Sequence, residues 1–72
     1  MREIEMTSEP LVLFQILKFE SIASSGGEAK MMIADGLVKV NGEVETRKRK
    51  KIYNGDTIEC NGQIVTMRLL DK

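Results

Sequence analysis

Residues 24–43 read SSGGEAKMMIADGLVKVNGE, and within this stretch the chain passes from one backbone period to another. Ser25 followed three residues later by Glu28 has the spacing of a capping box, in which the hydroxyl accepts from a first-turn amide and the carboxylate reaches back. Gly36 stands where a glycine in the left-handed region closes a helix. A short helix from about Gly26 to Asp35 is therefore predicted, with Ala29, Met32 and Ile33 toward the core and Glu28 and Lys30 turned away. Two glycines in its first turn lower helix propensity, by roughly 1 kcal/mol each in an interior and less near an end. Close approach of a partner to the backbone is one reason to keep them.

Alternation takes over at Leu37, so Leu37 to Val40 reads as a strand. A loop of Asn41, Gly42 and Glu43 would pair Val40 with Val44, Lys39 with Glu45 and Val38 with Thr46, keeping apolar residues on one face. A two-residue Asn-Gly loop would set Lys39 opposite Val44, so the three-residue register is expected. Tyr53 to Asp56, YNGD, is another turn, and Asn61-Gly62 separates Thr57–Cys60 from Gln63–Leu70. Ile58 and Cys60 would share a face with Val65, Met67 and Leu69.

Upstream, Thr7 or Ser8 can cap a helix whose first turn holds Glu9 and Pro10. Leu11, Phe14 and Leu17 with Val12, Ile16 and Phe19 would form its buried face. The predicted architecture is α+β, two N-terminal helices on a small, strongly bent, mostly antiparallel sheet, in one domain spanning residues 1–72.

A chain of 72 residues is close to the size at which one core supplies only about 3–5 kcal/mol. Cys60 is the single cysteine and histidine is absent, which excludes an internal disulfide and argues against a zinc site. No metal and no cofactor are expected. Apolar runs are far shorter than a membrane span and the N-terminal MREIEM has no apolar signal core, so a reduced, cytosolic protein without membrane contact is expected. The zero net charge conceals an asymmetry. Residues 1–36 carry three cations against six anions, and residues 37–72 carry eight against five.

The helix, SSGGEAKMMIADGLVKVNGE, a basic segment and YNGDTIEC, in that order, resemble the RNA-binding domain first described in small-subunit ribosomal protein four. The same domain occurs in heat-shock, pseudouridine-synthase and tyrosyl-tRNA synthetase proteins. The resemblance rests on Ser25, Ala29, Ile33, Gly36, Val38, Val40, Asn41, Gly42, Gly55, Asp56 and Ile58, and covers about residues 8 to 60. Stand-alone bacterial RNA-associated proteins of this length are the most similar group. It implies that the second helix and the adjacent hairpin share one RNA-facing surface, to which Ser25, Gly26, Gly27 and Asn41 belong. The larger family often has arginine directly after the helix-opening serine. Gly26 and Gly27 stand here instead, so backbone amides would have to replace that phosphate contact.

Arg47, Lys48, Arg49, Lys50 and Lys51 are five consecutive cations, which in a loop can fan over several phosphates. Arg47 and Arg49 suit bidentate phosphate contact, and the three lysines act as point charges. Lys39 and Lys30 would extend the patch. On the residues alone, a solvated loop balancing the acidic half accounts for the run as well. With the resemblance, the expected function is non-catalytic recognition of structured RNA, of rRNA or tRNA-like shape, with the ribosome as a further partner. The alternative is an adaptor whose basic patch docks on an acidic or ribosomal protein.

Few aromatics are available for base stacking: Phe14 and Phe19 are expected in the core, and Tyr53 is read first as a half-buried core residue and second as a stacker. Cys60 reads as a small buried hydrophobe, Asp56 as a partner of its own turn, and the methionines, Met31 and Met32 included, as core filler. No catalytic constellation and no small-molecule substrate are indicated.

Overall fold

The computed structural model describes residues 2–70; Met1, Asp71 and Lys72, at the ends of the span expected for the domain, lie outside the described residues. The chain runs β1 (Arg2–Met6), β2 (Leu11–Val12), α1 (Leu13–Phe19), α2 (Gly26–Ala34), β3 (Val38–Val40), β4 (Glu43–Val44), β5 (Lys51–Ile52), β6 (Thr57–Cys60) and β7 (Gln63–Leu69). Five strands form one sheet in the order β1-β7-β6-β3-β4, antiparallel except for the parallel β1–β7 pair, and β2 and β5 form a second, two-stranded antiparallel sheet. This is the two-helix, bent-sheet α+β architecture that the sequence predicts, with β1 and β2 added ahead of the helices.

The second helix closely follows its local signals. The Glu28 amide donates to Ser25 Oγ at 3.1 Å, and the Glu28 carboxylate accepts from the Ser24 amide at 2.7 Å, one residue before the position of a standard capping box. Gly36 ends the helix at φ +76°. Ala29, Met32 and Ile33 are buried as expected.

Helix α1 departs from its local signals. It starts at Leu13 rather than near Thr7 or Ser8, and its N-cap, Val12, makes no side-chain capping bond. Tertiary carbonyls take that role: the Leu13 amide donates to Lys50 O at 2.9 Å and the Phe14 amide to Lys48 O at 3.2 Å. Leu11 and Val12 are meanwhile drawn into pairing with Ile52 and Lys51. A long-range partner thus displaces the cap that Thr7 and Ser8 offer locally.

Two of the three Asn-Gly steps form tight hairpins, with positive φ at Asn41 and Gly42 and at Asn61 and Gly62. The β3–β4 register is the two-residue one, Val40 opposite Glu43 and Lys39 opposite Val44, and not the three-residue register expected. The expectation assumed that Val44 needs a buried face. On a two-residue edge strand whose residues are both exposed, turn geometry decides instead. The strand itself begins at Val38, Leu37 lying before it and exposed.

Val38, Val40, Ile58, Cys60, Val65 and Met67 form the inner face of the large sheet, against Leu13, Ile16 and Leu17 of α1 and Ile33 of α2. Met6 of β1 is also buried there. Phe19 and Met31, expected inside, are outside: Phe19 is 68% exposed at the end of α1, and Met31 is 67% exposed on α2. Each occupies an apolar position that a single-face reading fills but the two-helix packing leaves at the rim.

Candidate nucleic-acid interface

The basic segment has a defined conformation. The Lys50 amide donates to Arg47 O at 3.1 Å, closing a turn over Lys48 and Arg49, while Lys51 is already in β5. Because the Lys48 and Lys50 carbonyls accept from the first amides of α1, the loop is fastened to the helix by its backbone, leaving the exposed side chains of Lys48, Arg49 and Lys51 for other contacts. Arg47, Arg49, Lys50 and Lys51, with Tyr53, line an open groove of about 440 Å³.

Arg47 is not free within this set. Its Nε lies 2.8 Å and an Nη 3.2 Å from the two Glu45 carboxylate oxygens, and its amide donates to the same carboxylate at 3.0 Å. These bonds hold the Glu45 carboxyl down at about 2 and raise the Arg47 guanidinium further above its usual range. The fork that could clasp phosphate is thus occupied by a carboxylate, and Glu45 is an element that sequence reasoning did not assign. The i, i+2 spacing of Glu45 and Arg47 was the available signal.

The second helix meets the loop through Phe14. Lys30 Nζ lies 4.7 Å from the Phe14 ring centroid, so Lys30 is half-buried over a ring instead of turned fully away. A Cβ at Gly26 would stand 3.9 Å from the same ring, an ordinary contact. Lys30, Gly26 and the Lys48 carbonyl are therefore gathered around one phenylalanine. Gly27 meets only Ser25 Oγ, at 3.9 Å, and Ser25 is engaged as the helix cap.

Lys39 and Asn41 sit elsewhere. Lys39 is exposed on the outer face of the large sheet, in register with Glu59 and Val44. The Asn41 side chain is bonded within the protein: Nδ2 donates to Asp56 Oδ1 at 3.1 Å, and Oδ1 accepts from the Thr57 amide at 2.9 Å. Asp56 in turn accepts from the Tyr53 amide at 2.8 Å, the turn role expected of it. Cys60 is buried and free, and burial pushes its thiol pKa up. Among the described residues no group of three or more histidine, cysteine, aspartate or glutamate side chains could hold a metal, and no helix is long and apolar enough to cross a membrane.

Residues 4–68 match the S4 domain family. The chain belongs to that family. This S4 domain is 51% identical over 53 residues to YbcJ of Escherichia coli (strain K12), named as a candidate RNA-binding protein; the match covers 74% of this chain and 76% of YbcJ. It is 37% identical over 59 residues to RlbA of Bacillus subtilis (strain 168), named as a candidate ribosome maturation protein, covering 82% of this chain and 83% of RlbA. The solution structure of E. coli YbcJ, described as revealing an ALFAL motif involved in RNA binding, superimposes with a TM-score of 0.72 at 43% identity, covering 94% of this chain and 87% of that one. The fold and the family that the sequence resemblance implies are the ones found.

Proposed function

We propose that this S4 domain is a non-catalytic module that binds structured RNA, rRNA or tRNA-like in shape, through phosphate contacts from the Arg47–Lys51 loop and the start of α2. The observation that carries the reading is the fastening of that loop to α1: with bonds from Leu13 and Phe14 to Lys50 and Lys48, Arg49, Lys50 and Lys51 line one groove together with the Glu45-bound Arg47. A loop backbone that is already held loses little freedom when phosphates replace the counterions of its cations. Family membership and the RNA-binding name of the relative YbcJ support the same reading, and RlbA's name supports a ribosomal target.

Gly26 and Gly27 fit the proposal, because neither has a positive φ and no contact within the chain requires glycine at either position. Their bare backbone, at the positive end of α2, is open to a phosphate. We assign Lys39 and Asn41 supporting places, Lys39 as a distant cation and Asn41 as the clamp on the turn. The single domain, residues 1–72, would act as a whole.

The test is a salt series of anisotropy titrations with a labelled structured RNA and a duplex DNA of equal length. Four to five phosphate contacts give a slope of log affinity on log salt of roughly −3 to −4.5, with RNA preferred. Absence of binding at low salt would reject the proposal in favour of an adaptor whose cations meet an acidic or ribosomal protein.

A further inference from the structure

Tyr53 is read from sequence first as a half-buried core residue and second as a stacker, and the structure leaves it 47% exposed. In a chain with one tyrosine, two phenylalanines and no tryptophan, an exposed ring needs a reason. Phe19, the other exposed aromatic, lies at the end of α1 away from the loop that meets Leu13 and Phe14. Tyr53 instead lines the groove of Arg47, Arg49, Lys50 and Lys51.

Its backbone is held on both sides. The amide donates to Asp56 Oδ2 at 2.8 Å, the carbonyl accepts from the Asp56 amide at 3.1 Å, and Asp56 is clamped from the side by Asn41. The following amide, of Asn54, donates to Glu9 at 2.8 Å, and Asn54 Oδ1 accepts from the Leu69 amide at 2.8 Å. The preceding Ile52 is fully buried and paired with Leu11. An aromatic ring is thus presented from a fixed turn, at the wall of an open groove whose other sides are cationic. That combination is the chemistry of a nucleobase platform: a π-face for the base and positive charge for the phosphates flanking it.

We propose that Tyr53 stacks on one unpaired base of the bound RNA, so that the preferred ligand is a structured RNA interrupted by a bulged or looped-out nucleotide rather than a continuous helix. The proposal rests on the RNA-binding reading above and names the ligand class for the same groove. Arg49, Lys50 and Lys51 hold the phosphates on either side of the displaced base, and the platform contributes selectivity that phosphate contacts alone do not carry.

Two labelled hairpin RNAs test it, each closed by a non-nucleotide linker so that no loop base is available, one fully paired and one carrying a single unpaired adenine in its stem, titrated with the wild-type chain, Tyr53→Leu and Tyr53→Phe over a salt series. Thermal melts show that the variants are folded. The wild type is expected to prefer the bulged hairpin. Tyr53→Leu should lose roughly 5- to 150-fold on it, the range for one base–aromatic stack, with little change on the paired hairpin and none in salt slope. Tyr53→Phe should retain wild-type binding. With 2-aminopurine at the unpaired position, quenching on binding should disappear in Tyr53→Leu. Unchanged affinity of Tyr53→Leu for the bulged hairpin, with wild-type binding and its salt slope intact, overturns the stacking role and leaves RNA binding standing. Failure of the wild type to bind either hairpin at low salt removes the RNA-binding reading and this proposal with it.

Discussion

Lys30 Nζ sits 4.7 Å above the Phe14 ring, and through this pair the second helix reaches the loop that carries the cations. Phe14 also donates its amide to the Lys48 carbonyl, so one residue sets the spacing between a helix-borne charge and a loop-borne set. A cation over a partly exposed ring contributes about 0.5–1 kcal/mol. Lys30→Met should therefore cost about that much in stability. It should also reduce the salt slope of RNA binding by roughly 0.7 to 0.9, one phosphate's share. Phe14→Leu should lose more, because the ring also packs against the core, with the slope retained, and a double-mutant cycle in denaturant melts isolates the coupling.

Glu45 occupies the Arg47 fork that the proposed phosphate contact would need. Glu45→Gln is expected to raise RNA affinity roughly two- to fivefold at low salt, by removing an anion beside the groove and freeing the guanidinium fork. The pair's pH dependence has a definite sign. Glu45 is about 2 in the folded chain against 4.5 as its ordinary value, so its stabilising contribution is fully present above about 4.5 and is lost as pH falls toward 2. Melting temperatures of the wild type and Glu45→Gln should converge over that acid window and keep a constant difference from pH 5.5 to 8. The difference itself is small, since Arg47 is largely in solvent.

How far these features were legible depends on the range of the interaction. The capping box at Ser25 and Glu28, the Gly36 stop and the inward face of Ile58, Cys60, Val65 and Met67 are local or period-two patterns, and the fold keeps all of them. The start of α1 and the parallel β1–β7 pairing depend on partners at the other side or other end of the chain, which no local cap signal reports. Polar-apolar alternation in Glu3, Ile4, Glu5 and Met6 was the one trace of β1. The cations of the candidate interface were legible as a run. Their fastening by α1, the occupation of Arg47 by Glu45 and the exposure of Tyr53 are tertiary facts.

Ile58 is fully buried at the centre of the sheet, opposite Val40 and Val65. Truncation to alanine removes its buried methyl and methylene groups and leaves a cavity, at a cost of about 2–5 kcal/mol. A core of this size supplies only about 3–5 kcal/mol, so Ile58→Ala should be largely unfolded at 37 °C by circular dichroism. Cys60→Ala, the loss of a smaller buried group, should remain folded with a lowered melting temperature.

Gly27 separates stability from binding. With no positive φ and no contact closer than 3.9 Å, it tolerates a methyl group sterically, and alanine in the first turn should stabilise α2 by up to about 1 kcal/mol. If phosphate approaches the bare backbone there, the same methyl obstructs it. Gly27→Ala is thus expected to melt higher than the wild type while binding RNA several-fold more weakly, a pair of opposite changes that anisotropy and thermal melts measure on one sample.

Asn41 holds two turns together. Its φ of +54° belongs to the β3–β4 hairpin, and its side chain joins Asp56 and the Thr57 amide, so the hairpin and the Tyr53 turn are clamped as one unit. Alanine removes both bonds and strains the positive φ, which together should cost about 1–3 kcal/mol. Asn41→Gly relieves the backbone and loses only the side-chain bonds, so it should be the more stable of the two. Both variants free the same Asp56 oxygen, so both should show the same loosening of the Tyr53 turn, measured as faster amide hydrogen exchange at Tyr53. Equal stability of the two variants would mean that the strain glycine relieves at Asn41 is no larger than the unfolded-chain entropy glycine adds.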